Sequence, residues 1–139
     1  TEIINDLMEN VEKKRKILVA EGNRVNQTIF EQILKRAGYD YKICENGKEA
    51  VEELPKDDYC MILMDLQMPD MNGFEAAQYI REKERETGKH IPIIAVSANL
   101  LEEDYEVVKQ AGMDDFVVKP ISRQGLLSTI QKFLPNSTE

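Results

Sequence analysis

The sequence is poor in the residues that build metal clusters and disulfide frameworks. Its 139 residues include two cysteines, Cys44 and Cys60, and one histidine, His90. A zinc site made of Cys and His would be short of ligands, and a chain of this length can bury a core without a disulfide. We therefore expect both cysteines to be small buried apolar residues in a reducing compartment. His90 lies in a polar segment, so we expect it at the surface.

Long hydrophobic runs and extended basic segments are also missing. No apolar stretch approaches the roughly 20 residues of a membrane-spanning helix, and basic residues cluster only at positions 13–16. The formal net charge of -8 produces a field that repels polyanions. These features argue against direct binding to nucleic acid or to a membrane. The chain begins with Thr1, so we expect it to be part of a longer protein.

Short apolar runs are what the sequence does contain. They lie at residues 17–20, 61–64, 91–96 and 116–118, with a more polar fifth at 41–44. Continuous rather than alternating hydrophobicity is typical of parallel strands that are covered on both faces. Between the runs, apolar residues recur at helical spacing in segments 25–37, 74–80, 101–108 and 126–133. The pattern of strand followed by helix, five times over, predicts an α/β doubly wound fold with right-handed crossovers.

Capping residues agree with this interpretation. A glycine that could form a left-handed C-cap follows three of the helical segments: Gly38, Gly88 and Gly112. Two asparagines precede an acidic residue at the spacing of an N-cap pair, namely Asn72 with Glu75 and Asn99 with Glu102. We expect one domain over residues 16–134, preceded by a linker or helix at 1–15, where a narrow apolar stripe lies, and followed by a tail at 135–139.

Polar residues follow or end four of the predicted strands. Glu21 follows the first, Asp65 ends the third, Ser97 follows the fourth and Lys119 follows the fifth. Because the carboxyl ends of parallel strands meet at one edge of a sheet, these four side chains are expected to converge where such folds bind ligands. Each residue alone is weak evidence, since acids and lysines at strand ends are usually solvated. Their combination in this order is far more specific.

The segments that carry these residues resemble the four signatures of response-regulator receiver domains in two-component signalling. They are Ile17-Leu18-Val19-Ala20-Glu21-Gly22-Asn23, Met64-Asp65-Leu66-Gln67-Met68-Pro69-Asp70-Met71-Asn72-Gly73, Val96-Ser97-Ala98 and Val117-Val118-Lys119-Pro120. The resemblance covers residues 16–134. Asn26-Gln27 and Ala111-Gly112-Met113-Asp114-Asp115 are similar to receivers attached to hybrid sensor histidine kinases.

The resemblance implies a five-stranded parallel sheet in the order 2-1-3-4-5, flanked by five helices, and a role for each site residue. Asp65 would accept a phosphoryl group from a phosphohistidine. Lys119 would offset charge on the phosphoryl oxygens, with a cis Lys119–Pro120 peptide aiming its ammonium at the site. Ser97 would hydrogen-bond a phosphoryl oxygen, and Phe116 would be the switch aromatic. A plain core aromatic is the alternative for Phe116.

Partners also follow from the resemblance. A histidine kinase or a histidine phosphotransfer domain would dock over Asp65, and a face that includes Leu101 and Tyr105 would carry the output. By itself the domain would be a phosphoacceptor and not an enzyme, although a longer parent could be a sensor histidine kinase. We expect a cytoplasmic location, alone or within a larger membrane-anchored protein.

The sequence departs from the receiver pattern at one metal-binding position. Receivers carry two adjacent acids after the first strand, and here the pair is Glu21-Gly22. Glu21, Asp65 and the backbone carbonyl of Gln67 then remain as ligands, so we expect Mg²⁺ to bind weakly. Either the longer Glu21 side chain replaces the missing ligand, or the chain is a degenerate pseudo-receiver that acts as a docking module. An engineered change at Gly22 is a third explanation.

Two other classes of protein share features with this sequence, either a nucleophilic aspartate at the end of a parallel strand or the same sheet topology. Haloacid-dehalogenase phosphatases carry an Asp-x-Asp motif, but Gln67 stands here in place of the second acid. Flavodoxin-like FMN carriers have a phosphate-binding loop rich in Ser, Thr and Gly, and no such loop follows Val19. Both classes are therefore disfavoured, and a phosphatase assay and an absorption spectrum would test them.

Overall fold

A computed structural model describes residues 15–68, 71–98 and 102–134, without the side chains of residues 102–104. Within these ranges the strands are β1 Lys16–Ala20, β2 Asp40–Cys44, β3 Tyr59–Asp65, β4 Ile93–Ser97 and β5 Asp115–Val118. They form one parallel sheet in the order β2-β1-β3-β4-β5. The predicted α/β class and strand order are confirmed.

Five helices follow the strands in the described part of the chain. They are α1 Arg24–Arg36, α2 Gly47–Glu53, α3 Gly73–Thr87, α4 Glu102–Gln110 and α5 Arg123–Phe133, with a short 3₁₀ turn at Leu54–Lys56 after α2. Every strand is therefore followed by a helix. The predicted linker at 1–15 falls almost entirely outside the described residues, as do the tail at 135–139, Leu101 and the proposed cap Asn99.

Two apolar clusters cover the two faces of the sheet. Ile17 and Val19 of β1 pack with Phe30 and Leu34 of α1 and with Leu126 of α5. On the other face, the alternate strand positions are Leu18, Ala20, Ile62 and Met64. They pack against helix residues Ala50 of α2, Ala76, Ala77 and Ile80 of α3, and Val108 of α4. Each fully buried large apolar side chain contributes about 1.5–3 kcal/mol. Burial on both faces explains why the strands are continuously apolar.

The predicted caps are present wherever they fall within the described residues. Gly38, Gly88 and Gly112 have φ angles of 88°, 72° and 92°, a left-handed backbone that glycine adopts without steric cost. The side chain of Asn72 accepts a hydrogen bond from the amide of Glu75. These caps end and begin the helices at the positions inferred from sequence.

Two differences from the sequence interpretation have a clear physical reason. The spacing of apolar residues did not locate α2, because Gly47 and Ala50 are the only buried residues of this seven-residue helix. Strand β4 begins at Ile93 rather than at residue 91. Proline at position 92 lacks an amide hydrogen and cannot donate to a neighbouring strand, although its carbonyl accepts the amide of Ile62.

A polar network closes the edge of the sheet where the strands begin. Arg81 of α3 donates to the Gly112 carbonyl at 2.7 Å and to Asp114 Oδ2 at 2.7 Å. Exposed His90 lies with Nε2 2.7 Å from Asp114 Oδ1. Arg15 Nη1 donates to the Leu134 carbonyl at 3.0 Å. The first and last described residues therefore meet at this edge.

The cysteines are free thiols. Cys44 is buried and Cys60 is half-buried, with its Sγ donating to the Lys16 carbonyl at 3.3 Å. The expectation of full burial therefore holds for Cys44 and only partly for Cys60, which lies at the start of β3. Among the residues described, no helix is both long and apolar enough to cross a membrane.

Candidate functional site

The four residues selected from the strand ends lie at one edge of the sheet. Glu21, Asp65 and Ser97 are 1%, 3% and 4% exposed. The ammonium of Lys119 lies 3.0 Å from Asp65 Oδ2 and 3.0 Å from Glu21 Oε1. Two carboxylates that follow different strands therefore share one lysine.

Asp65 is held at both carboxylate oxygens. Oδ1 accepts the amide of Gln67 at 3.0 Å, and Oδ2 accepts Lys119 Nζ at 3.0 Å. The amide of Leu66 continues the sheet by bonding to the Val96 carbonyl at 3.0 Å. The carboxylate orientation is therefore set by the end of β3 on one side and by the residue after β5 on the other.

The two carboxylate oxygens of Glu21 have different partners. Oε2 accepts the amide of Asn23 at 3.0 Å. Oε1 is buried, and its contact is an ion pair with the Lys119 ammonium at 3.0 Å, which is poorly aligned for a hydrogen bond. A carboxylate oxygen has two lone pairs, so Oε1 can contact a second cation beside the Lys119 ammonium.

Burial and the contact between Glu21 and Lys119 act in opposite directions on the pKa of each residue. Burial is the largest influence on Glu21 and raises its pKa, while the Asn23 amide and the Lys119 ammonium act to lower it and the charge of Asp65 adds to the rise. Burial acts to lower the pKa of Lys119, but its contacts with Asp65 and Glu21 outweigh burial and the pKa is raised. Lys119 is therefore firmly cationic, and the ionised form of Glu21 is held at a cost.

That cost predicts the effect of Glu21→Gln on stability. Because the folded state raises the Glu21 pKa, ionised Glu21 opposes folding at neutral pH, and this penalty fades as the pH falls through the raised pKa. Glu21→Gln should increase the free energy of unfolding by about 1 kcal/mol at pH 7, and the gain should vanish below the ordinary glutamate pKa of 4.5, where Glu21 is protonated in the unfolded state too. Urea titrations of both proteins at several pH values would measure the difference; an equal or lower stability at pH 7 contradicts it.

Ser97 and Lys119 lie side by side at the ends of β4 and β5. The amide of Lys119 donates to the Ser97 carbonyl at 2.8 Å, and Ser97 pairs in register with Val118. The Lys119–Pro120 peptide bond is cis, as the resemblance implied. The loop after β4 and the loop after β5 are therefore connected at the residues selected from sequence.

Phe116 points toward the face that carries α4. It is half-buried against the cluster that includes Val108, and its ring meets Tyr105 edge to face, with centroids 5.0 Å apart at 90°. Such pairs stabilise by about 0.5–1.5 kcal/mol beyond their burial. Tyr105 is 38% exposed, so the pair connects the core near β5 with the protein surface.

An open cleft lies above the carboxylates. Its lining combines the acids with small polar residues: Glu21, Gly22, Asn23, Asn26, Glu45, Asn46, Asp65, Gln67 and Lys119. Within the described ranges, no group of three or more His, Cys, Asp or Glu side chains is arranged around a metal position. The residues present fit a hard divalent cation through Asp65 and the buried Oε1 of Glu21, with fewer carboxylates than such ions prefer.

Several residues of the site had no assigned role in the sequence interpretation. Asn23 caps α1 by accepting the Asn26 amide, a contact that the Asn-x-x-Asn spacing could have indicated. Gln27 donates to the Glu21 carbonyl at 2.6 Å, and a Cβ at Gly73 would lie 2.4 Å from the Asp65 carbonyl oxygen. These last two contacts depend on distances between elements and leave no periodic signal in the sequence.

Comparison with known proteins agrees with this geometry. A family profile described as the response regulator receiver domain matches residues 17–131. Hybrid signal transduction histidine kinases B and I of Dictyostelium discoideum are 42% identical over 125 residues and 41% identical over 121 residues. Each alignment covers 84% of this chain but only 6% and 7% of the respective kinase. The chain therefore spans a small part of these relatives.

Solved structures give the same answer for the fold. The receiver domain of a Pseudomonas aeruginosa sensor histidine kinase, described with a magnesium ion in its active-site cleft, is 37% identical with a TM-score of 0.79, covering 88% of this chain and 99% of that one. The receiver of a Saccharomyces cerevisiae response regulator, co-crystallised with a histidine phosphotransfer protein, is 30% identical with a TM-score of 0.82, covering 86% of this chain and 88% of that one. The chain belongs to the response regulator receiver domain family.

Proposed function

We propose that this chain is the phosphoacceptor domain of a two-component phosphorelay and that Asp65 is the residue phosphorylated. The observation that carries the proposal is the carboxylate of Asp65, buried at the end of β3 and oriented by Lys119 Nζ and the Gln67 amide, each at 3.0 Å. A carboxylate held in this way beside an open cleft is prepared to act as a nucleophile.

The chemistry is a transfer between two nucleophiles. One Asp65 oxygen forms a bond to phosphorus while the bond between phosphorus and the imidazole nitrogen of the donor histidine breaks. The donor ring carries a proton on its other nitrogen, so it leaves as a neutral imidazole and Asp65 becomes an aspartyl phosphate. Negative charge spreads over the phosphoryl oxygens in the transition state. Lys119, already 3.0 Å from Asp65 Oδ2, offsets that charge without moving far.

Glu21, Asp65 and the Gln67 carbonyl would hold Mg²⁺, which when bound supplies further positive charge to the phosphoryl oxygens. Glu21 would offer Oε1 for this contact, since that oxygen is buried and its contact with the Lys119 ammonium, at 3.0 Å, is poorly aligned for a hydrogen bond. With Gly22 at the place of the usual direct ligand, the affinity for the ion is low.

Ser97 and Phe116 form the proposed switch. The hydroxyl of Ser97 donates to a phosphoryl oxygen on Asp65 and draws the end of β4 inward. Phe116 then turns into the space that this movement opens, which changes its contact with Tyr105. The exposed part of Tyr105 then presents a different surface to a partner.

Proposed partners are a histidine kinase or a histidine phosphotransfer domain, which would place a phosphohistidine above Asp65. Support comes from the hybrid kinase relatives and from the yeast receiver that was co-crystallised with a phosphotransfer protein. The parent of this chain is then a larger signalling protein of the hybrid kinase type.

Intact-mass measurement tests the proposal. The 139-residue chain is incubated with a small phosphoryl donor and Mg²⁺, beside Asp65→Asn and the matched control Asp58→Asn, which changes an exposed aspartate. One phosphoryl group should appear on the parent and on Asp58→Asn, and none on Asp65→Asn. Labelling of Asp65→Asn to the same extent would place the phosphoryl group elsewhere and reject Asp65 as the acceptor.

A second candidate function is a docking module that acts without phosphorylation. Gly22, exposed at the rim of the cleft where the resemblance implies a direct metal ligand, is the observation that favours it. An unlabelled parent together with a labelled Gly22→Asp variant would support this candidate.

A further inference from the structure

In the segment between β1 and α1, a glycine directly follows the residue that carries a site carboxylate. Glu21 must hold its carboxylate in the cleft, yet the next residue is Gly22, whose backbone has the widest conformational freedom of any residue. Gly22 is exposed, and a Cβ built on it would meet only the Glu45 carbonyl oxygen, at 3.1 Å. Packing of a side chain at position 22 therefore cannot fix the orientation of Glu21.

Hydrogen bonds to the backbone and to the carboxylate of Glu21 do this instead. Its amide donates to the Cys44 carbonyl at 2.9 Å, which attaches it to the end of β2. Its carbonyl accepts Nε2 of Gln27 at 2.6 Å, which attaches it to α1. Its Oε2 accepts the amide of Asn23 at 3.0 Å.

Gln27 is itself held in a fixed position, so its side chain can fix the position of the Glu21 carbonyl. Its own amide donates to the Asn23 carbonyl at 2.9 Å as part of α1, and its side chain is half-buried. Among the residues that the structure describes, Gln27 is the donor that satisfies the Glu21 carbonyl. Loss of this donor would leave a buried carbonyl without a partner, and the peptide that joins Glu21 to Gly22 would be free to turn.

We infer that Gln27 is a positioning residue that holds the Glu21 carboxylate in the cation-binding cleft where Gly22 provides no side chain to do so. Nothing in this role requires Gln27 to touch the ion or the phosphoryl group. The inference rests on the proposed function for its relevance to phosphorylation, but not for its test, since the position of Glu21 can be measured without any phosphoryl donor.

The required property of Gln27 is an N–H donor at a fixed distance along the side chain. Gln27→Met keeps the length and removes the donor. Gln27→Arg places Nε–H at the same number of bonds from the backbone and restores it. Gln32→Met makes the same chemical change at an exposed position of α1 and is the matched control.

Magnesium titration followed by NMR of the uniformly labelled chain would test the inference, with hydrogen exchange of the Asn23 amide as a second readout. Gln27→Met should weaken Mg²⁺ binding about 10-fold and accelerate exchange of the Asn23 amide, which bonds to Glu21 Oε2. Gln27→Arg should recover the slow exchange, and Gln32→Met should match the parent in both measurements.

Thermal unfolding of each variant separates positioning from general damage. The inference is overturned if Gln27→Met leaves both readouts unchanged, or if Gln27→Arg fails to restore slow exchange while unfolding at the parent temperature. A parent that binds Mg²⁺ but takes no phosphoryl group would reject the proposed function and leave this inference standing. The reverse pattern, normal labelling with unchanged readouts in Gln27→Met, would reject the inference alone.

Discussion

Gly22→Asp should raise the affinity of the chain for Mg²⁺ by about 10-fold to 100-fold or more, because even changes to groups behind the direct ligands of a metal alter affinity by that factor. The site now offers a divalent cation Glu21 and Asp65, with the Lys119 ammonium 3.0 Å from each carboxylate. A third carboxylate would add a direct oxygen ligand and a second excess negative charge. Faster phosphorylation of Asp65 should follow, since the added ion stabilises charge on the phosphoryl group.

The backbone at Gly22 can accept this change. A Cβ there would lie 3.1 Å from the Glu45 carbonyl oxygen, so this loop must shift by a few tenths of an ångström. Gly22→Asn has nearly the same shape without the charge and is the matched control. Calorimetric Mg²⁺ titration and the initial rate of intact-mass labelling would be measured for the three proteins. Equal gains for Gly22→Asn and Gly22→Asp would show that the carboxylate is not the cause.

Gly73→Ala should destabilise the fold by about 3 kcal/mol or more, the upper range for overpacking in a protein interior. A Cβ at Gly73 would lie 2.4 Å from the Asp65 carbonyl oxygen and 3.0 Å from the Cα of Leu66. These atoms belong to the backbone at the end of β3, so relief requires α3 and β3 to separate. The higher helix propensity of alanine, about 1 kcal/mol, offsets only part of this cost.

Thermal and urea unfolding would measure the effect, and Gly88→Ala provides the comparison. Gly88 has φ of 72° with no atom within 4 Å of a built Cβ, so alanine there costs only the left-handed backbone, about 1–2 kcal/mol. The Gly73→Ala variant should also label more slowly at Asp65, because separation of α3 from β3 moves the acceptor. Gly73→Ala that is no less stable than Gly88→Ala would contradict the steric argument.

The sequence was sufficient for the parts of the fold that depend on local patterns. Apolar runs located the strands because both faces of the sheet are covered, and glycines with positive φ marked helix ends. The short helix α2 escaped detection because so little of it is buried. The order of the strands came from the resemblance to receivers and not from the apolar pattern.

The candidate site divides in the same way. Convergence of Glu21, Asp65, Ser97 and Lys119 could be predicted because strand ends in a parallel sheet meet at one edge. The contact of Gln27 with the Glu21 carbonyl and the close approach of Gly73 to Asp65 could not, since each depends on how a helix sits against the sheet to within an ångström. The chemical roles of the four residues stay predictions until Asp65 is tested.

The bond between Arg15 and the Leu134 carbonyl has a mechanical consequence for any polypeptide attached to this domain. The first and last described residues meet at the edge of the sheet where the strands begin, roughly 15 Å from the edge that carries Asp65 along a five-residue strand. A domain attached at a single point can rotate as a rigid body about that point. The range of positions that its cleft reaches then depends on the length of the attached linkers. If Asp65 is the acceptor proposed above, linker length would control its effective concentration at a donor histidine in the same protein.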